Sequence, residues 1–214
     1  MLCLFLFISF PFTAEVLNYD VYLGIWRVGE LRLSLKEGFF TGETVYFLSS
    51  VLKSNFPFRI DDSLFTVSRR NDFTTLYSYK KVKEGNYQKE LTYQFNGDRI
   101  EYSDGTIFPA RESPKDLLTL WYFFRSSCSD TNRETFAHFD KKDYRVKINP
   151  KECRYISNKF GSFLVRRLQP ETFPKSILGD IYISEDSLRL PLVIKTRLLL
   201  GMVKAILKKR SENG

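Results

Sequence analysis

Two adjacent carboxylates, Glu185 and Asp186, stand beside Arg189 in the stretch IYISEDSLRLPLVI, and a second acidic pair is Asp61-Asp62. Paired carboxylates hydrolyse glycosides when both face one cleft, roughly 5 to 9.5 Å apart. Sequence neighbours meet that need poorly, because in a strand they point to opposite faces. Glu185 and Asp186 also lie between the apolar runs 181–183 and 190–194 and precede Ser187, as turn chemistry prefers. They read as the polar tip of a β-hairpin. The single histidine, His138 in FAHFD, would have to be the base of any Ser-His-Asp or Cys-His arrangement. No G-x-S-x-G elbow accompanies it. One histidine and dispersed cysteines cannot supply a tetrahedral zinc set. Neither a Walker A loop nor a G-x-G-x-x-G fingerprint occurs. No catalytic residue, cofactor or metal is therefore expected. A hydrolase using His138, Glu185 and Asp186 is the last of three alternatives.

The elements that must position these residues repeat with a period of two. In YQKELTYQF, Tyr87, Lys89, Leu91, Tyr93 and Phe95 share one face, against Gln88, Glu90, Thr92 and Gln94. Leu17, Tyr19, Val21 and Leu23 alternate with polar residues near the start, and Leu31, Leu33 and Leu35 follow Gly24 and Gly29. Tyr144, Val146 and Ile148 repeat the pattern after the turn-rich DKKD. Further strands are expected at 43–53, 63–69, 73–80, 99–102, 162–168, 180–184, 190–197 and 202–207. One segment breaks the pattern. SPKDLLTLWYFFRSS predicts a helix over 113–126, with Ser113 as N-cap, Pro114 at the first helical position and Asp116 closing a capping box. Leu117, Leu120, Trp121 and Phe124 then fall on one apolar stripe. The expected fold is mainly β: a curved antiparallel sheet wrapping as an open or half-barrel around this helix. Leu117, Leu120, Trp121, Phe124, Tyr93 and Phe95 would line its interior, as core or as the wall of an apolar ligand site.

The chain has 214 residues, formal charge +8 and aromatic content of 16%, including 20 Phe and 12 Tyr. Such a length suits one domain, and the aromatics suit pleated sheet faces. The basic balance favours anionic partners. The opening MLCLFLFISFPFTA carries no charge, is too short to span a bilayer, and ends in the small residue Ala14. Residues 1–14 are read as an export signal preceding a single β-rich domain over 15–214, with a buried N-terminal strand as the alternative. Export would place the protein in the periplasm or outer envelope of a Gram-negative-type bacterium. It would leave Cys128 and Cys153, compatible with one disulfide or with two free thiols. Basic doublets at Arg69-Arg70 and Arg166-Arg167 and the cluster Lys208-Lys209-Arg210 would need aromatics interleaved on one exposed face to read nucleic acid, and the export reading argues against that partner. The end LLLGMVKAILKKR either meets an anionic leaflet or is a last strand with a solvated charged tail.

The segment ISEDSLRLPLVIKTRLLLGMVKAIL resembles the C-terminal hairpin of domain-of-unknown-function family 3108, an uncharacterised bacterial envelope family, at Ser184, Asp186, Arg189, Pro191 and Gly201. LNYDVYLGIWRVGELRL is similar at Tyr19, Gly24, Gly29 and Glu30, and VLKSNFPFRIDDSLFTVSRRND at Asp61 and Asp62. The helix segment is similar at Asp116, Tyr122 and Arg125. The resemblance implies an exported β-rich domain with no established activity. A looser architectural likeness goes to periplasmic lipoprotein carriers, whose half-barrels close over helices. The first functional expectation is thus a lipid-like or apolar ligand in the sheet; the second is an envelope protein-interaction or scaffold module without a small ligand.

Overall fold

The computed structural model describes residues 14–55, 59–126, 133–158, 160–176, 178–198 and 201–211. The export expectation falls on residues outside these, apart from Ala14, which opens the first strand. Eight strands precede the helix: β1 (Ala14–Leu23), β2 (Trp26–Phe40), β3 (Glu43–Ser54), β4 (Ile60–Arg69), β5 (Thr75–Glu84), β6 (Tyr87–Asn96), β7 (Arg99–Tyr102) and β8 (Ile107–Pro109). The helix α1 spans Leu117–Ser126. Six strands follow: β9 (Arg133–Phe139), β10 (Lys142–Asn158), β11 (Gly161–Phe173), β12 (Asp180–Ser184), β13 (Pro191–Leu198) and β14 (Gly201–Ser211).

All fourteen strands form one antiparallel sheet, ordered β8-β7-β6-β5-β4-β3-β2-β1-β14-β13-β12-β11-β10-β9. Two meanders run outward in opposite directions from the central β1–β14 pair. The connection between the edge strands β8 and β9 is the helix segment itself. Consequently α1 is carried across the hollow of the curved sheet, and its buried residues depart from the expected stripe. Leu118 and Tyr122 are buried with Leu120 and Phe124, while Leu117 and Trp121 are half-buried. Leu17, Tyr19 and Val21 of β1, Leu33 and Leu35 of β2, and Tyr46 and Leu48 of β3 join Leu118 and Tyr122 of the helix in the largest core cluster. A second cluster joins Leu120 and Phe124 to Val146, Ile148, Leu168, Ile181 and Ile183. Gly29 is needed for close approach, since a Cβ there would lie 2.1 Å from the Lys53 carbonyl oxygen.

Several expectations need correction. The helix begins at Leu117 rather than 113, and Ser113, at φ +50°, is not its cap. Lys115 is held extended against β9: its N–H donates to Phe136 O (3.2 Å), and its carbonyl accepts from His138 N (2.7 Å). A residue paired to a strand cannot enter the helix, so Asp116 becomes the N-cap, accepting from the N–H of Thr119 at 2.7 Å. β2, β10 and β11 run longer than their periodic cores, and the short β8 and the strand β9 were not expected. Only the second half of β6 is covered. Tyr87 and Lys89 are exposed, whereas Tyr93 is buried and Leu91 and Phe95 are half-buried around it. Lys208, Lys209 and Arg210 lie within β14, not in a solvated tail.

Candidate functional site

The acidic pair at 185–186 builds the turn between β12 and β13. One oxygen, Asp186 Oδ1, accepts from Ser184 Oγ (2.7 Å) and from the N–H groups of Leu188 and Arg189 (both 3.1 Å). Ser184 Oγ in turn accepts from Leu190 N at 2.7 Å. Glu185 points away and meets the Arg166 guanidinium twice, at 2.7 and 3.0 Å. The two carboxylates therefore share no cleft. Asp62 is likewise committed, accepting from Lys83 N at 2.9 Å, and its pKa is raised by burial.

That turn is one half of a latch on the C-terminal end of α1. Arg125, almost fully buried, donates from Nε to the Arg189 carbonyl (2.8 Å) and from Nη2 to the Leu188 carbonyl (3.0 Å). The same guanidinium forms a buried ion pair with Glu15 of β1, Nη2 reaching Oε2 at 3.1 Å. Arg189 returns the contact, donating from Nη1 to the Ser126 carbonyl at 2.9 Å. Tyr19 donates to the Pro191 carbonyl at 3.0 Å, and burial pushes its hydroxyl pKa well above the phenolic range, so it stays a donor. Tyr122 is buried in the same region, and its hydroxyl has no hydrogen-bond partner among the described residues.

A second latch holds the N-terminal end. Asp116, 2% exposed, accepts from the hydroxyls of Thr66 on β4 and Ser78 on β5, the latter at 2.8 Å, besides the Thr119 amide. Its own N–H donates to Thr75 Oγ1 at 2.8 Å. The neighbouring Lys115 is buried too; its ammonium donates to the Ser113 carbonyl (3.0 Å) and lies 4.5 Å from the Phe123 ring centroid. Burial lowers its pKa, opposed by the charge of Asp72.

Half of the residues resembling the family's pattern meet at these two latches. Asp116, Arg125 and Arg189 tie the helix to the sheet, Ser184 and Asp186 shape the turn that receives it, and Tyr19 holds Pro191 at the end of that turn. Glu15 was missed, yet a signal existed: it shares its strand face with Leu17, Tyr19 and Val21, and a carboxylate on an apolar face demands a partner. Thr66 and Ser78 gave no such signal, since alternating hydroxyls also suit a solvent face.

His138 sits where the open edges of the sheet meet. Its Nδ1 lies 2.6 Å from Asp143 Oδ1 and its Nε2 lies 2.8 Å from the Tyr102 hydroxyl. Tyr93 donates to the His138 carbonyl at 3.1 Å, and the Phe108 ring lies tilted against the imidazole at 5.3 Å between centroids. Burial raises the pKa of Tyr93 well above the phenolic range and that of Tyr102 strongly too. Around this core, Lys80 pairs with Asp140 at 2.6 Å, and Lys141 pairs with Asp104. Apart from the His138–Asp143 contact, which lies within the β9–β10 pair, these contacts join the β5–β8 side to the β9–β10 side. Side chains close the seam where no ladder connects β8 to β9.

The two cavities beside α1 are small. One of about 40 Å³ borders Leu117, Tyr93, Tyr102 and Asp116; the other, of about 20 Å³, borders Trp121, Tyr122, Leu17 and Ile183. A single water needs roughly 10–15 Å³, whereas ligand pockets run to roughly 300–1,000 Å³. Leu120, Phe124 and Tyr93 are buried in core contacts, and Leu117, Trp121 and Phe95 are half-buried. Cys153 is exposed on β10. Its proposed partner Cys128 lies outside the described residues.

Over the described residues this is a one-helix, open-barrel β-protein held by two polar latches and a side-chain seam. A family model described as "Protein of unknown function (DUF3108)" matches residues 18–208, and the chain belongs to that family. Among solved structures, it is similar to the crystal structure of a β-barrel-like protein of domain-of-unknown-function family DUF1849 from Brucella abortus. The TM-score is 0.61 at 8% identity, covering 93% of this chain and 97% of the other, a likeness of fold. No curated protein matches.

Proposed function

We propose that the protein is a non-enzymatic binding module of the cell envelope, with a helix-filled interior serving as core and the outside of the sheet as its working surface. The observation that carries this reading is the filled hollow: the cavities flanking α1 are about 40 and 20 Å³, far below the size of an acyl chain's pocket. The carboxylates and histidine that could have served acid–base chemistry are occupied in holding a turn and a seam. The uncharged opening MLCLFLFISFPFTA supports placement in the envelope.

Cross-linking in intact cells tests the reading, and a protein partner captured in defined stoichiometry is expected. Native mass spectrometry of the protein purified from membranes supplies the opposing result. If one lipid per chain co-purifies and is lost on Leu120→Trp, the interior opens to ligand and the reading is wrong.

A further inference from the structure

The central strands β14, β1, β2 and β3 carry a hollow of about 530 Å³ bordered by Asn18, Arg32, Val51, Lys53 and Lys209, with Glu30 and Lys208 at its side. Asn18 alternates with the buried Leu17 and Tyr19, so this is the face turned away from the helix. Register sets these residues in rows. Val51 pairs with Arg32, Arg32 with Asn18, and Asn18 with Lys209. Lys53 stands opposite Glu30 in the next row on that face. The partners of β1 bulge beside it, at Lys208 of β14 opposite Asn18/Tyr19 and at Val28 of β2 opposite Val21/Tyr22, and bend the sheet here.

The charges in this hollow are not balanced. Asp20 and Glu30 are satisfied by Arg27 (2.8 and 2.5 Å) and approached by Lys208 (3.4 and 3.6 Å). Beyond the backbone ladder, the side chains of Arg32, Lys53, Lys209 and Asn18 have no hydrogen bond or ion pair among the described residues. Arg32 and Lys209 flank Asn18 at about 10 Å across two strand spacings, close enough for long side chains to converge on one group.

We infer that this hollow is a binding site for a phosphate group, in particular that of an anionic headgroup; the inference rests on the reading that the outer surface does the binding. Arg32 offers a planar fork that matches two phosphate oxygens, Lys53 and Lys209 add point charges, and Asn18 adds an amide donor. Three cations exceed what a single carboxylate balances and suit a doubly charged oxyanion. The volume exceeds that of a bare phosphate, leaving room for the group that carries it.

The test uses the full chain, titrated separately with inorganic phosphate, with phosphatidylglycerol–phosphatidylcholine vesicles, and with pure phosphatidylcholine vesicles. Arg32→Gln/Lys209→Gln is compared with Lys89→Gln/Lys147→Gln, an equal charge loss at exposed positions elsewhere. Binding to the mixed vesicles is expected to fall roughly 25-fold in the first double variant, at about 1 kcal/mol per basic residue. It should fall much less in the second. Saturable binding of inorganic phosphate, lost in the first variant only, would support the same site with free phosphate as the source. Equal losses in both variants, or no binding to either probe, would overturn the site. Because the protein partner is read by cross-linking, its retention in Arg32→Gln/Lys209→Gln would leave the module reading standing while this inference fails.

Discussion

Two residues in the helix make opposite predictions. Arg125 neutralises Glu15 in a site where both side chains are almost without solvent contact. Arg125→Ala leaves a buried carboxylate without its main partner, at a cost of about 3–5 kcal/mol in urea unfolding. Adding Glu15→Gln to that variant should recover part of the loss, because the uncompensated charge is gone; a double variant no more stable than Arg125→Ala would refute the pairing as the cause. Tyr122 is the counterexample. Its hydroxyl is buried without a partner, so Tyr122→Phe removes a desolvated group and is expected to leave stability unchanged or raise it by up to about 1–2 kcal/mol. A loss above 1 kcal/mol would mean that the hydroxyl is hydrogen-bonded in solution. The sequence pattern singled out both residues alike; only burial and partners separate them.

Among the elements, the helix and the closing seam differ in how far the sequence revealed them. The helix was legible by its apolar period, with Leu120 and Phe124 buried. Leu117 and Trp121, however, are half-buried and Leu118 and Tyr122 are buried beside them, because the sheet covers the helix on more than one side. The helix start was not, because a tertiary pairing of Lys115 with β9 overrode local capping at Ser113. The outline of the open barrel was legible from alternating strands. Its closure was not, because the seam joins residues distant in sequence, Tyr102 with His138 and Asp104 with Lys141. The anion hollow was half-visible: Lys208-Lys209-Arg210 stood out as a cluster, but its register against Asn18 and Arg32 requires the sheet. Leu120→Ala tests the helix as an element. Leu120 is 1% exposed between the helix and the second core cluster, and a loss of about 2–5 kcal/mol is expected. Tyr102→Phe tests the seam. It removes the hydroxyl shared by His138 Nε2 and Lys141 N, for about 1–3 kcal/mol, and should raise amide exchange in β9 before it does so in β1. Uniform exchange across the sheet would mean that the edges do not open separately.

For the whole molecule, the distribution of carboxylates fixes how stability responds to acid. Asp104 is held down to about 2 by its hydrogen bond from Lys141, which crosses the seam, and by Thr106. Burial alone would raise Asp72, but hydrogen bonds from Ser113 and Thr74 outweigh it and its pKa is lowered. A carboxyl group whose pKa is depressed on folding stabilises the fold above its unfolded value and loses that contribution as pH falls through the folded one. Stability linked to Asp104 is therefore full above about pH 4 and declines towards pH 2. Asp62 acts in the other sense, since burial raises its pKa and folding is relieved when it is protonated. Urea midpoints should consequently hold from pH 7 to about 4 and fall below that, with Asp104→Asn removing part of the slope. Asp104 is exposed, so 1 M salt should erase its share, while the part carried by the half-buried Asp72 persists. A slope unchanged by both the substitution and the salt would show that the seam does not carry the acid sensitivity.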